Sequence, residues 1–457
     1  MVGPHVVDTI VAVATPLGRG AIGVVRASGP LAKDLMRAVC GRVLLPRVAT
    51  RLSFLDEDHQ PIDDGLAIFF QGPNSYTGED VLELQGHGGP GVLSLVLKRC
   101  LALSPASGRI RMAEPGEFTQ RAFLNDKLDL AQAESVADLI NAGTERAARS
   151  ALASLQGKFS ELIIELQNRL VDVRMRVEAC LDFPEEDIPL LEREGVAQRL
   201  QGIILLLDQV LESASRGAVL REGLRVVLVG APNVGKSSLL NALAEQEVAL
   251  VTAIAGTTRD RIVQEISIDG VPMHVIDTAG LRDTSDEVER LGIARTWHEI
   301  QMSQLVVLLR DATGEIPVDE ELEQKVLQHA SSRRAVVHVW NKSDMSRGIS
   351  RGGAANALWV SAKTGAGLDQ LRRQLLTLAG WTGDASSGVF SARVRHVQAL
   401  QRSRQACNQA TRHLTGHELE LLAECLRQAH AALSEITGEF SPDDLLGEIF
   451  SRFCIGK

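Results

Sequence analysis

The chain has 457 residues, of which 45% are hydrophobic, 23% are charged and 4% are aromatic. This composition is typical of a globular protein with a mainly aliphatic core, and the length predicts roughly two to four domains. The 48 basic and 58 acidic residues give a formal net charge of −10. That balance argues against a surface coated with nucleic-acid-binding charge, although it is compatible with a local basic patch.

The cysteines and the apolar runs predict a cytoplasmic protein. The six cysteines, at positions 40, 100, 180, 407, 425 and 454, form no CxxC pair, so we expect neither a zinc site nor a disulfide framework. The first residues lack a basic stretch followed by an apolar core, and no run of about 18 apolar residues occurs. We therefore expect reduced thiols and no membrane span.

Residues 1–125 mix short apolar runs with Gly and Pro, which predicts an α+β domain. Four runs predict strands: Thr9–Ala14, Ile22–Arg26, Leu66–Phe70 and Val81–Leu84. Two longer runs predict helices: Ala32–Cys40 and Val92–Leu103.

Residues 126–219 predict the first part of a helical domain. Apolar residues recur every three or four positions, as on one face of a single long helix: Leu152, Leu155, Phe159, Leu162, Leu166, Leu170, Val173 and Val177. Pro184 and Pro189 should end that helix. A second helix follows, with these apolar residues on one face: Leu200, Ile204, Leu207 and Leu211.

Residues 220–380 alternate strand and helix patterns, which predicts a mostly parallel sheet with crossover helices. Continuous apolar runs predict its buried strands: Arg225–Val229, Leu305–Leu309, Ala335–Trp340 and Ala357–Val360. Alternation over Ile262–Ile268 and the turn residues Asp269 and Gly270 predict a hairpin into Met273–Ile276.

Residues 381–457 return to helical stripes and predict the second part of the helical domain. The first stripe contains Leu421, Leu422, Leu426, Ala429, Leu433 and Ile436. The last contains Leu445, Leu446, Ile449, Phe450 and Phe453. We therefore expect a multidomain protein: an α+β N-terminal domain and an all-α domain, the latter interrupted by an inserted, Ras-like α/β domain.

The segment Gly230–Ser237 matches a P-loop that follows a strand and opens a helix, which is the context the motif requires. Its main-chain N–H groups and the helix N-terminus should wrap phosphates. Lys236 should reach the β- and γ-phosphates, and Ser237 should hold Mg²⁺.

Further motifs follow in order, each at a strand end. Asp277–Gly280 can orient the Mg²⁺ shell through Asp277 and donate the N–H of Gly280 to the γ-phosphate. Asn341–Asp344 places a carboxylate where it can accept two hydrogen bonds from guanine, which adenine cannot supply. Ser361–Lys363 supports the base, and Gly256–Asp260 lies where a first switch loop belongs. Together these motifs predict a GTP-binding domain at residues 220–380.

The residue after Asp277–Gly280 is Leu281, whereas Ras-like GTPases place a water-orienting glutamine there. Leucine cannot hydrogen-bond to water, so another group must take this role. The candidates are Asp283, Asp286, Glu287 and Glu289. The sequence also identifies no arginine finger, so either another cation stabilises the transferred phosphoryl group or turnover stays slow.

Several motifs outside the GTP-binding domain resemble those of one known protein family. They are Thr15–Gly20, Asn74–Asp80, Gln85–Gly89, Pro115–Phe118, Arg121–Asn125 and the closing Cys454–Lys457. With these motifs the chain resembles, from end to end, the family of bacterial tRNA-modification GTPases called MnmE or TrmE. Nothing in the nucleotide motifs departs from that family's pattern.

The resemblance implies an N-terminal domain that forms a homodimer and binds a tetrahydrofolate. It implies a complex with a flavoprotein partner, MnmG, which carries FAD, in a heterotetramer. That complex installs an aminomethyl or carboxymethylaminomethyl group on carbon 5 of the wobble uridine of certain tRNAs. The one-carbon unit would come from 5,10-methylene-tetrahydrofolate, for which 5-formyl-tetrahydrofolate is a stable analogue. GTP hydrolysis would be activated when K⁺ pairs two G domains.

The resemblance also assigns residues. The Asn233 side chain and the carbonyls of Thr252, Ile254 and Thr257 would coordinate K⁺, Ser237 and Thr258 would hold Mg²⁺, and Glu289 would orient water. Lys236, Thr258 and Glu289 would be the catalytic residues. The nucleotide-contacting set would be Asn233, Val234, Gly235, Lys236, Ser237, Ser238, Thr252, Ala253, Ile254, Ala255, Gly256, Thr257, Thr258, Asp277, Thr278, Ala279, Gly280, Asn341, Lys342, Asp344, Ser361, Ala362 and Lys363.

Arg26, Glu83, Lys127 and Lys457 match the family's folate-contacting positions. A carboxylate such as Glu83 suits the paired N–H groups of a pterin, and the cations suit a glutamate tail. The apolar run before Lys457 predicts that the chain end docks on the N-terminal domain. Cys454 is either a reactive thiol or a small buried residue.

Two other functions fit parts of this pattern. A ribosome-assembly GTPase would act as a binding switch, but such proteins usually append a basic RNA-binding module, which the sequence does not predict. A folate-dependent one-carbon transferase with a regulatory GTP-binding domain is the other alternative. Analysis of tRNA nucleosides from a deletion strain separates them.

Overall fold

The computed structural model describes residues 8–16, 18–103, 109–182, 190–244, 263–277, 297–298, 300–329, 335–346, 357–378, 380–381, 390–438, 443–451 and 453–456. These residues form two compact units. One contains residues 1–137 and 434–457, and the other contains residues 138–433. Residues 434–457 therefore group with the N-terminal domain, although the sequence placed all of 381–457 with the helical domain.

The first unit is built on one sheet. Its described strands are β1 (Thr9–Val13), β2 (Gly20–Ser28), β3 (Thr50–Leu55), β4 (Pro61–Phe70), β5 (Val81–Gly88) and β6 (Ile110–Met112). Their order is β3-β4-β5-β2-β1-β6, with β1 parallel to β6 and the other neighbours antiparallel. The sequence predicted β1, β2, β4 and β5. It did not predict β3, which carries polar residues at an edge, or β6, which is only three residues long.

Helices cover one face of this sheet. They are α1 (Ala32–Cys40) and α2 (Pro90–Ala102), and both confirm the sequence prediction. Leu35 and Val96 from these helices share a core with Val25, Leu82 and Leu84 from β2 and β5. Because strand residues alternate between faces, the neighbours of these core residues point to the opposite face.

The chain end docks on the first unit, as the apolar run predicted. Helices α3 (Glu117–Leu124) and α4 (Leu130–Ile140) lie towards the end of the chain's first third, and α13 (Asp443–Ser451) lies near the end of the chain. Ile449, Phe450 and Phe453 are buried against Leu130 and Ala133. Two main-chain contacts then hold the tail: the N–H of Gly116 donates to the carbonyl of Cys454 at 3.4 Å, and Pro115 forms a bridge with Ile455.

The second unit contains most of the helical domain. Its long helices are α5 (Glu145–Leu155), α6 (Lys158–Asp182), α7 (Leu190–Glu222), α11 (Val394–Thr415) and α12 (Leu419–Thr437); residues 434–437 of α12 are assigned to the first unit. The prediction of one long helix through Leu152 and Val177 is wrong, because Gly157 at φ 91° separates α5 from α6. An L-residue rarely adopts that conformation, so the helix ends and restarts there, while the apolar stripe continues on both helices.

The inserted domain has a second sheet. Its described strands are β7 (Leu224–Val229), β8 (Val263–Ile268), β9 (Val271–Asp277), β10 (Leu305–Asp311), β11 (Ala335–Asn341) and β12 (Leu358–Trp359). Their order is β12-β11-β10-β7-β9-β8, and all neighbours are parallel except β8 and β9. Asp269 and Gly270 form the predicted hairpin turn. The inserted domain also contains helices α8 (Lys236–Ala244), α9 (Glu320–His329) and α10 (Leu368–Leu378).

Two further features concern the chain as a whole. In the described part of the chain, none of the helices combines the length and the apolar character that crossing a membrane requires. The six cysteines carry free thiols, as expected.

Candidate functional site

The nucleotide motifs converge on one edge of the second sheet. The P-loop follows β7, Asp277 ends β9, Asn341 ends β11, and Ser361 comes two residues after β12. These strands run parallel, so their carboxyl ends lie at the same edge, where open α/β sheets bind ligands. The pairing of Leu228 with Asp277 brings the main chain before the P-loop directly beside the start of the second motif.

The P-loop has the shape of a phosphate cradle. A Cβ atom on Gly235 would lie 2.4 Å from Asn341 Nδ2, so only glycine fits there. Asn233 adopts φ 64°, a left-handed conformation that asparagine tolerates better than most residues. The Lys236 side chain is buried, and its ammonium donates to the carbonyls of Gly230 at 2.8 Å and Ala231 at 3.2 Å. The loop therefore holds a positive charge where phosphates would bind.

Asn341 joins the phosphate side of the site to the base side. Its side chain is buried, and Nδ2 donates to the carbonyl of Val234 in the P-loop at 2.9 Å. Its Oδ1 accepts the main-chain N–H of Ala362 at 3.1 Å. The residue thus fixes three motifs relative to one another, and loss of either bond would leave a buried polar group unsatisfied.

Lys342 is anchored by a residue that the sequence analysis missed. Its ammonium donates to Asp311 Oδ2 at 2.9 Å, and Lys342 itself adopts φ 63°. Burial by itself raises the pKa of Asp311, but the N–H and hydroxyl of Thr313 and the Lys342 ammonium outweigh it, so the pKa lies below its usual value. Asp311 is the last residue of β10, two positions after its apolar run, and this position at a strand end was the signal that could have identified it.

Asp344 is exposed and held in place by Ser361. The Ser361 hydroxyl donates to Asp344 Oδ1 at 2.7 Å and accepts the N–H of Thr364 at 3.1 Å. This leaves the second carboxylate oxygen directed away from Ser361 and open to donors on a base. Ser237, Ser238 and Lys363 are also exposed at the site.

Several assigned residues lie outside the described part of the chain. They are Thr252, Ala253, Ile254, Ala255, Gly256, Thr257, Thr258, Thr278, Ala279, Gly280, Asp283, Asp286, Glu287 and Glu289, together with Lys457. Their roles in binding nucleotide, metals, water or folate stay predictions.

In the first unit, Arg26 and Glu83 face each other across β2 and β5. The Arg26 guanidinium contacts Glu83 Oε1 through Nε at 2.9 Å and through a terminal nitrogen at 2.8 Å. The other terminal nitrogen donates to the carbonyl of Gly456 at 3.4 Å, and the guanidinium lies over the rings of Tyr76 and Phe118. The two side chains touch, so they would meet the same part of a ligand, and separate roles at a pterin and at a distant glutamate tail do not suit them.

The other residues assigned to this region are less tightly held. Lys127 is exposed, and its aliphatic stem lies beside Gly78 in the loop that carries Tyr76. Cys454 is exposed rather than buried, which removes the second of its two predicted alternatives. Tyr76, whose hydroxyl is 2.9 Å from that of Thr119, was not predicted as part of the site. Its position in the motif Asn74–Asp80 was the available signal.

The fold and the nucleotide site define a P-loop guanine-nucleotide-binding protein with additional α+β and helical domains.

Comparisons with known proteins place the chain in one family of such proteins. The family model for the GTP-binding protein TrmE N-terminus matches residues 9–127, and the model for the MnmE helical domain matches residues 130–454.

Curated relatives match over nearly the whole chain. A tRNA modification GTPase MnmE of Bordetella avium is 55% identical over 450 residues, which cover 98% of this chain and 99% of that protein. One from Acidovorax sp. strain JS42 is 54% identical over 465 residues, covering 99% and 100%. The chain therefore belongs to the MnmE family of tRNA modification GTPases. Among solved structures, it is similar to the FeoB G-domain from Methanococcus jannaschii, with 23% identity, a TM-score of 0.26, and 34% of this chain and 97% of that chain covered.

Proposed function

We propose that this protein is the GTP-hydrolysing subunit of a complex that adds an aminomethyl or carboxymethylaminomethyl group to carbon 5 of the wobble uridine of certain tRNAs. The observation that carries the GTPase part is the bridge made by Asn341, which ties the P-loop carbonyl of Val234 to the base-side N–H of Ala362. It holds the P-loop and the base-side motifs together at one edge of the sheet, as binding of a single nucleotide requires. The tRNA part rests on the names of the curated relatives.

The nucleotide site suits GTP with Mg²⁺ and K⁺. Lys236 supplies positive charge beneath the phosphates, and the exposed hydroxyl of Ser237 at the start of α8 is a suitable Mg²⁺ ligand. The exposed Asn233 side chain offers a carbonyl oxygen for K⁺. Since Leu281 stands where Ras-like proteins have glutamine, we assign water orientation to Glu289 and the missing cationic charge to K⁺ shared by two paired G domains.

The first unit suits a reduced folate. The carboxylate of Glu83 is held by Arg26 and is 16% exposed, so it is fixed and still accessible to a pair of pterin N–H groups. Tyr76, whose side chain is partly exposed, offers ring surface beside this pair for a planar ligand, whereas Phe118 is buried beneath the Arg26 guanidinium. We assign Lys127 and Lys457 to the glutamate tail of 5,10-methylene-tetrahydrofolate. The protein would act as a homodimer with a flavoprotein of the MnmG type.

The test is nucleoside analysis of tRNA from a bacterial strain that lacks its own member of this family. Expression of this chain should restore the modified wobble uridine, and the Lys236→Ala variant should not restore it. Unchanged tRNA, accompanied by correction of an abnormal ribosome profile, would overturn the proposal and support a ribosome-assembly switch instead.

A further inference from the structure

Helix α11 (Val394–Thr415) differs in charge from the other long helices of the second unit. Residues 385–417, which include it, contain five arginines and three histidines but neither aspartate nor glutamate. By contrast, α6 and α7 each contain five acidic and four basic residues, and they use some of these in ion pairs one turn apart, such as Arg169 with Glu165. In a chain whose net charge is −10, α11 is therefore a local concentration of positive charge.

The side chains of α11 divide into a packed face and a polar face. The buried residues recur every three or four positions, and they include Leu400, Cys407 and Ala410. On the opposite side of the helix, the polar face consists of side chains that are exposed or partly exposed: Gln398, Gln401, Arg402, Gln405, Gln409 and Arg412. Between Gln398 and Arg412 this face carries only amide and guanidinium groups, over a length of about 21 Å.

Two carboxylates next to α11 contact side chains at the edges of the polar face rather than on it. Asp208 of α7 forms an ion pair with Arg404. Glu418, just after the helix, lies 2.5 Å from Nδ1 of His413. Arg412 is exposed, and within the part of the chain that the structure describes it has no ion-pair partner. Its guanidinium is therefore open to a ligand that approaches from solvent.

The chemistry of the polar face suits the backbone of a nucleic acid. Arginine, glutamine and asparagine are among the side chains with which proteins contact phosphate oxygens and sugars, and RNA adds a 2′-hydroxyl that both donates and accepts. A membrane-surface helix would present aromatic or leucine side chains beside its cations, and the centre of a protein interface is usually apolar or aromatic. The polar face has neither character. A helix face that is only solvated usually mixes both signs of charge, as α6 and α7 do.

We propose that the polar face of α11 binds the sugar–phosphate backbone of the substrate tRNA. Arg402 and Arg412, which are about 15 Å apart along the helix, each neutralise one phosphate. The amides between them, such as that of Gln405, donate to phosphate oxygens or to 2′-hydroxyls. These contacts orient the RNA and read no base, so they serve different tRNAs alike. The inference rests on the proposed function, and it places RNA contacts in a local basic patch of an acidic protein.

The test measures the tRNA affinity of the full-length protein as a function of salt. Fluorescence anisotropy follows the binding of a labelled tRNA that lacks the wobble modification, between about 50 and 200 mM KCl. The polar face is changed in the double variant Arg402→Gln/Arg412→Gln and in the opposite substitutions Gln405→Lys and Gln405→Glu. The control is Arg169→Gln, which removes an exposed arginine of α6. Thermal unfolding and GTP hydrolysis show that each variant folds with a working nucleotide site.

The double variant should lower the slope of log K against log salt by about 1.5, because each arginine–phosphate contact contributes about 0.7–0.9. Its affinity for tRNA should fall roughly 10-fold at about 0.15 M salt. Gln405→Lys should strengthen binding and steepen the salt dependence, Gln405→Glu should weaken binding, and Arg169→Gln should change neither quantity. An unchanged slope in the double variant, or equal effects of lysine and glutamate at position 405, would overturn the proposal.

Further outcomes separate the polar face from the proposed function. In a strain that lacks its own member of the family, wild-type protein that restores the wobble modification but binds no labelled tRNA would overturn the role of the polar face and leave the function intact. Failure to restore the modification would overturn the proposed function, whatever the salt slopes show. If Gln405→Glu weakens association with the flavoprotein and not with tRNA, the polar face binds a protein and the proposal is wrong.

Discussion

The Lys342 ammonium lies 2.9 Å from Asp311 Oδ2, and this pair anchors the base-recognition segment to the end of β10. Asp311 has no exposed side-chain surface, whereas the Lys342 side chain is 29% exposed. The contact therefore ties Lys342, which belongs to the base-recognition motif, to a buried carboxylate at the end of β10.

Asp311→Asn should destabilise the nucleotide domain in a pH-dependent way. The pKa of Asp311 is lowered in the folded protein, so its ionised form stabilises the fold at pH values above the unfolded value of about 3.9. That contribution is lost as the pH falls through the lower folded pKa. We expect the variant to lose about 1–3 kcal/mol at pH 7, and the difference from wild type to shrink below about pH 4.

Denaturant unfolding followed by tryptophan fluorescence measures this effect, because Trp340 and Trp359 stack in β11 and β12 with ring centroids 5.7 Å apart. Glu315→Gln removes an exposed carboxylate and is the control, with an expected change within about 0.5 kcal/mol. A loss that stays constant from pH 7 to pH 3 would contradict the assigned charge of Asp311.

GTP hydrolysis should be fast in KCl and slow in NaCl at equal ionic strength. Na⁺ is too small to span the carbonyl set that we assign to K⁺ around Asn233. Asn233→Gly keeps the left-handed loop conformation at φ 64° but removes the side-chain carbonyl, so it should abolish the potassium stimulation, roughly 10²-fold, while GTP still binds. Steady-state hydrolysis in the two salts is the measurement. Equal rates for the wild type in both salts would rule out the potassium site.

The Asp344→Asn variant should bind GTP more weakly and should prefer a xanthine nucleotide. The asparagine carbonyl can keep the hydrogen bond from Ser361, which is 2.7 Å in the wild type, while its amide donates to the xanthine oxygen. Ser361→Ala is the matched variant: it should weaken the binding free energy of GTP by about 1 kcal/mol without changing the preferred base. Competition binding between GTP and XTP measures both effects. An unchanged preference for GTP in Asp344→Asn would show that another group reads the base.

Glu289→Ala should bind nucleotide normally but hydrolyse GTP roughly 10²-fold more slowly or worse, the range for a positioned acid–base group. Leu281 cannot orient water, so removal of the assigned carboxylate should leave the attacking water without a hydrogen-bond acceptor that orients it. Single-turnover hydrolysis and nucleotide affinity are measured together, with Glu315→Ala as the control. Near-normal turnover would move the role to Asp283, Asp286 or Glu287.

Glu83→Ala should separate the two ligand sites. It removes the acceptor for pterin N–H groups and leaves Arg26 without its partner at 2.8 Å. Affinity for 5-formyl-tetrahydrofolate should fall about 10- to 100-fold, equivalent to about 1–3 kcal/mol, and wobble modification should fail. Removal of Lys457 should act in the same direction but more weakly.

Potassium-stimulated GTP hydrolysis should stay within a few-fold of wild type in these variants, since no residue of the nucleotide site is changed. Glu57→Ala, at an exposed carboxylate in the turn between β3 and β4, is the control for folate affinity. Wild-type folate affinity in Glu83→Ala would mean that the pocket lies elsewhere, whereas the family assignment would be unaffected.

The sequence by itself determined the elements and the order of the nucleotide motifs. Continuous apolar runs predicted β7, β10 and β11, because strands buried on both faces need them, and the P-loop and Asn341–Asp344 were therefore known to follow strand ends. Parallel pairing then requires these ends to share one edge. The same apolar pattern wrongly predicted one continuous helix through Gly157. An apolar stripe continues across two helices and does not show that the backbone between them adopts a positive φ.

Only the tertiary structure decided which side chains meet. Asp311 and Lys342 are 31 residues apart, Arg26 and Glu83 are 57 apart, and Arg26 and Gly456 are 430 apart. No periodicity encodes such contacts. They depend on strand order, on the register that sets Arg26 opposite Glu83, and on the burial of Phe450 and Phe453 that docks the tail. Side-chain chemistry is local, but the distance between two charges is fixed by how the whole chain packs.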